Sequence, residues 1–120
     1  MRGTALIAIC VCASAAVNAA GAGAAPAPPK ECAAPLGAIK AVRDKLDAGR
    51  RVLSAEEADC AFLQFTTQAL SARCATIKAR ATPKVRQTWG DMLQEWGALD
   101  RLRLDLRKLE DSLDVVCEPQ

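Results

Sequence analysis

Histidine is absent from the 120 residues, and with it go the usual general base, the base of a hydrolytic triad and the commonest metal ligand. No glycine-rich phosphate loop, nucleophile elbow or metalloprotease motif is present. The paired acids Glu56 with Glu57, and Glu110 with Asp111, lie where helix ends and solvated faces carry carboxylates. A non-catalytic protein without a cofactor is expected. The formal net charge of +2 lacks the basic excess that phosphate neutralisation needs, which argues against nucleic acid as a partner. No segment is long and uncharged enough to span a bilayer, which takes roughly 20 apolar residues.

What is there begins with an export signal. Arg2 precedes the short apolar run "ALIAICVCASAAV" and the small residues "NAAGAGAA", the order of a secretory signal peptide. Residues 1–20 are expected to be removed after Ala19 or Ala20, which makes the product a secreted protein. Residues 21–31 are rich in alanine and proline and are expected to form a flexible leader, with a single helical domain over 32–120.

Cleavage removes Cys10 and Cys12 and leaves Cys32, Cys60, Cys74 and Cys117. An even count in a small exported chain reads as a disulfide framework. A metal or redox site would want cysteines at short spacing such as C-x-x-C, and these four have none.

Periodicity predicts an all-α protein, a disulfide-stapled bundle of three to four helices built on an antiparallel helical hairpin. Leu36, Ile39, Val42 and Leu46 recur at helical spacing from Pro35, and Gly49 is a stop signal, so a first helix ending near Ala48 is expected. Ser54 with Glu57 three residues on forms a capping-box pattern. The second helix starts there, and Cys60, Leu63, Thr67, Leu70, Cys74, Ile77 and Ala81 fall on one of its faces. Thr82-Pro83 marks a third start. From it Val85, Trp89, Met92, Trp96 and Leu99 lead, after one short step, into Leu102, Leu106, Leu109, Leu113 and Val116. Within this run Trp89-Gly90 repeats as Trp96-Gly97, and each glycine marks either a kink, a close backbone approach or a tolerated helix glycine.

A continuous second helix would separate Cys60 from Cys74 by about 21 Å along its axis. A disulfide needs Cα atoms within roughly 7 Å, so on this premise the two cannot pair. An antiparallel first helix would carry Cys32 toward Cys74, which makes Cys32 with Cys74 the preferred bridge. Cys60 with Cys117 follows by elimination. In a straight hairpin Cys117 overshoots Cys60 by about 20 Å, so the third helix must break, start late or fold back the tail "DVVCEPQ". Pairing Cys32 with Cys60 and Cys74 with Cys117 makes the overshoot worse.

Charge is distributed more tellingly than its total. The second helix is acidic at its start and basic at its end, as its dipole favours, whereas the third begins with Lys84 and Arg86. The turn between them places Lys78, Arg80, Lys84 and Arg86 together as a candidate tip for a polyanionic surface or an acidic patch on a partner protein. The plain alternative is a solvated turn. The aromatics Phe62, Phe65, Trp89 and Trp96 are expected in the core, or lining a pocket or interface.

The alanine-rich exported chain, its four remaining cysteines and the helical hairpin with its "TP" start resemble the small all-helical salivary proteins of blood-feeding anopheline mosquitoes, of the anophensin and albicin type. The resemblance covers architecture and size over most of the chain and carries over no functional residue. It implies a non-enzymatic inhibitor of host plasma cascades that binds contact factors or components of the alternative-pathway complement convertase. Two other classes fit the same residues: a secreted carrier of a small apolar ligand, and a bacterial periplasmic partner protein.

Overall fold

The computed structural model describes residues 28–118; the expected signal peptide, and the leader up to residue 27, lie outside them. A 3-10 turn at Lys30–Cys32 leads into four helices, α1 (Ala33–Val52), α2 (Ala55–Thr67), α3 (Ala72–Arg80) and α4 (Pro83–Leu113). No strand occurs among the described residues. The protein is the all-α, disulfide-stapled bundle that the periodicity implies.

The long seam of the bundle is α1 against α4. Gly49 near the end of α1 lies beside Met92 and Thr88, Lys45 faces Glu95 across 3.8 Å, and Cys32 is bonded to Cys117 beyond the far end of α4. Residue numbers thus fall on one helix as they rise on the other, and the pair is antiparallel. Ile39, Val42, Leu46 and Gly49 of α1 are buried against Trp89, Met92, Trp96 and Leu99 of α4. Gly49 does not end α1, which continues three residues further. It is a close approach: a Cβ there would fall 2.8 Å from Met92 Sδ, so the missing side chain lets the two helices touch.

Local signals set the other helix starts. Ser54 Oγ accepts from the Glu57 amide at 3.2 Å while Glu57 Oε1 accepts from the Ser54 amide at 2.8 Å, a reciprocal cap of the kind that contributes about 1 kcal/mol. Thr82 Oγ1 accepts from the Val85 amide at 3.2 Å, with Pro83 at the first helical position. From there α4 runs unbroken through Gly90 and Gly97. Space is open around Gly90, and a Cβ at Gly97 would meet only Arg101 at an ordinary 3.6 Å. Both are glycines the helix tolerates.

The continuous second helix is corrected: α2 stops at Thr67 and α3 begins at Ala72. Gln68 turns left-handed, with φ 60°, and side chains at the end of α2 bond back to its carbonyls. Thr67 Oγ1 donates to Leu63 O at 2.7 Å and Gln68 Nε2 to Phe65 O at 2.8 Å. Ser71 Oγ then caps α3 by accepting from the Cys74 amide at 3.2 Å. The chain doubles back, so Arg73 reaches Glu56 at 2.6 Å.

Both expected bridges are corrected by this break. Cys60 pairs with Cys74, their Cα atoms 5.4 Å apart, because the axial separation that forbade the bond existed only in an unbroken helix. Cys32 therefore pairs with Cys117, not with Cys74, at a Cα separation of 5.5 Å. The overrun of α4 past Cys60 needs no remedy, since its end meets the start of α1. The tail does fold back: Asp114 is left-handed (φ 54°) and closes α4, and Glu110 Oε2 accepts from the Cys117 amide at 2.7 Å.

Candidate functional site

The four aromatic candidates divide by role. Trp89 is fully buried and its Nε1 donates to Gln64 Oε1 of α2 at 2.8 Å. Trp96, also buried, is met by Phe62 edge-on with ring centroids 5.2 Å apart and by Phe65 at 5.7 Å. These contacts fasten α2 across α4. Phe62 departs from the core expectation, being 46% exposed; one face of its ring packs on Trp96 and the rest meets solvent.

The basic candidates meet where α3 hands over to α4. Between Asp59 and Asp91 the chain carries no acid, while Arg73, Lys78, Arg80, Lys84 and Arg86 supply five positive charges. Of these, Arg73 is paired, with Glu56. Lys78 is half-buried and holds its ammonium 5.3 Å from the Trp89 ring centre, a cation–π contact worth about 0.5–1 kcal/mol. The Arg86 guanidinium donates to the Ala81 carbonyl, where the chain leaves α3. Lys78 and Arg86 thus brace the corner as well as charging it. Arg80 and Lys84 are exposed, and among the described residues neither forms an ion pair.

Dipoles sharpen the asymmetry. Lys78 and Arg80 sit in the last turn of α3, where cations are favoured, whereas Lys84 and Arg86 sit in the first turns of α4, where they are not. The cost of the second pair brings no ion pair with an acid among the described residues, and Lys84 and Arg86 are exposed at the corner. In sequence the α3 cap was the overlooked signal: Ser71 stands three residues before Cys74, as Ser54 stands before Glu57. The α2 terminus had none, because glutamine is not a usual left-handed residue.

Lys40 bonds Asp44 one turn on at 2.9 Å, and that hydrogen bond, together with the carboxylate's charge, raises the Lys40 pKa. No group of three or more potential metal ligands is assembled among the described residues. None of the described helices is long and apolar enough to cross a membrane. Comparison with family models, curated proteins and solved structures finds no match to this chain.

Proposed function

We propose that this chain is an exported, non-enzymatic binding protein that presents the α3–α4 corner to an acidic patch on a partner protein. The carrying observation is the acid-free run from Cys60 to Gly90 with its five cations, folded into a corner where Arg80 and Lys84 stand unpaired among the described residues. Clefts or edges of one sign steer partners of the other and speed association. Host plasma proteins are the partners that the resemblance to salivary inhibitors implies, with complement convertase components and contact factors the first to test. A carrier role draws less support, because Trp89 and Trp96 are committed to holding helices together.

The test is capture from plasma on immobilised oxidised protein, beside a reduced and alkylated control and the variant Arg80→Gln/Lys84→Gln. Both substituted side chains are exposed, so the fold is expected to be retained. The variant is expected to bind about tenfold more weakly near 0.15 M salt and to lose most of the salt dependence of association. Equal capture by the variant and the parent would remove the corner from the binding surface. Absence of any protein retained specifically by the oxidised form would remove the plasma-inhibitor reading.

A further inference from the structure

The bundle is three helices thick at one end and two at the other. Along α4, Trp89, Met92, Trp96 and Leu99 are buried, whereas Leu102, Leu106, Leu109 and Leu113 are only partly covered. The difference follows from α2, which reaches α4 at Trp89 and Trp96. Past Leu99, α1 is the helix that packs on α4. The heptad-like leucine stripe therefore continues where the third helix has ended.

A groove occupies that position. One stretch of about 330 Å³ lies beside Phe62, Trp96, Leu46 and Leu99, and a second of about 660 Å³ continues beside Ile39 and Leu106 as far as Cys117. They share Arg43, Asp47 and Arg103 in their walls, so they are one channel along the α1–α4 seam. Its floor is apolar and its end is the exposed ring of Phe62.

The walls are basic. Arg43 and Arg50 rise from α1, two turns apart on one face, and Arg103 and Arg107 from α4. All four are exposed, and among the described residues none is ion-paired. The acids alongside them only partly offset this charge: Asp44 holds Lys40, and Asp47 and Glu110, the latter accepting from the Cys117 amide, stand against the four arginines. An apolar floor between arginine walls is complementary to a helix with apolar residues on one stripe and carboxylates on its flanks.

We propose that this groove docks an acidic amphipathic helix of a partner protein, which completes the bundle as its missing third helix. The surface is separate from the α3–α4 corner, and the two can be lost independently. Apolar anchors at i, i+3 or i+4 and i+7 meet the partly covered Leu36 and Leu106 and the exposed ring of Phe62, and flanking Glu or Asp side chains meet Arg43 and Arg103.

The probe is a synthetic helical peptide with leucines at those spacings and glutamates on the flanks, labelled for fluorescence anisotropy. Two controls accompany it: the same peptide with lysine flanks, and an acidic peptide of identical composition in scrambled order. Saturable binding of the first alone is expected, weakened about tenfold or more in Arg43→Glu/Arg103→Glu and unchanged in Arg80→Gln/Lys84→Gln. Circular dichroism and a second variant, Arg50→Glu/Arg107→Glu, separate a lost site from a lost fold. Equal binding of the scrambled or lysine-flanked peptide overturns the proposal. So does a concentration-dependent dimer in sedimentation that the Arg43→Glu/Arg103→Glu variant abolishes, because the occupant would then be a second copy of this chain.

Discussion

Replacing Cys32 and Cys117 together with serine is expected to lower the free energy of unfolding by about 4.5 kcal/mol, from the chain entropy that so large a closure removes from the unfolded state. The bond joins residues 85 apart in sequence. It also holds the two-helix end of the bundle, where the leucines of α4 are half-covered and contribute less than a filled core. Cys60 with Cys74 closes only 14 residues, and its removal is expected to cost about 3 kcal/mol on the same reasoning. Urea unfolding of both double variants, monitored by tryptophan fluorescence, checks the values and their order. A smaller loss at Cys32 and Cys117 than at Cys60 and Cys74 would show that the local clip, not the long closure, dominates stability.

Trp89→Ala is expected to cost about 4 kcal/mol, within the range for emptying a large aromatic site in a core. Trp89 joins three helices. Its ring is wholly buried in α4, its Nε1 binds Gln64 of α2, and its face carries Lys78 of α3. Trp89→Phe retains most of the packing but strips the half-buried Gln64 oxygen of its donor, with an expected cost of about 2 kcal/mol. Phe62→Ala, at a ring 46% exposed, should cost well below either. Denaturant unfolding of the three variants gives the order directly. A loss at Phe62 equal to that at Trp89 would move the centre of the core toward α2.

Helix starts were the most legible part of the fold. Ser54 and Thr82 announce theirs by hydroxyls placed to accept from amides of the following turn, and both bonds form. The heptad-like stripe of α4 is equally plain, because a face that packs on other helices needs apolar residues at every third or fourth position. The break after Thr67 was not legible, since apolar spacing runs through it unchanged from Cys60 to Ile77. It depends on Gln68 adopting a left-handed turn with its own side chain bound to Phe65, a local bargain without a composition signature. One unforeseen turn then inverted the disulfide map.

The candidate sites follow the same division. The basic corner was visible as a charge run across Thr82-Pro83, although the bracing roles of Lys78 and Arg86 needed coordinates. The arginine groove was hidden, because Arg43 and Arg103 become neighbours only when α1 packs antiparallel on α4.

The disulfide map is the most direct test of this architecture, and trypsin places each cysteine on its own peptide. Cleavage after lysine and arginine leaves Cys32 on 31–40, Cys60 on 52–73, Cys74 on 74–78 and Cys117 on 109–120. Mass spectrometry of the unreduced digest should show 52–73 joined to 74–78, and 31–40 joined to 109–120. Peptide 31–40 joined instead to 74–78 or to 52–73 would contradict the broken helix, the antiparallel seam of α1 on α4 and the groove built on it.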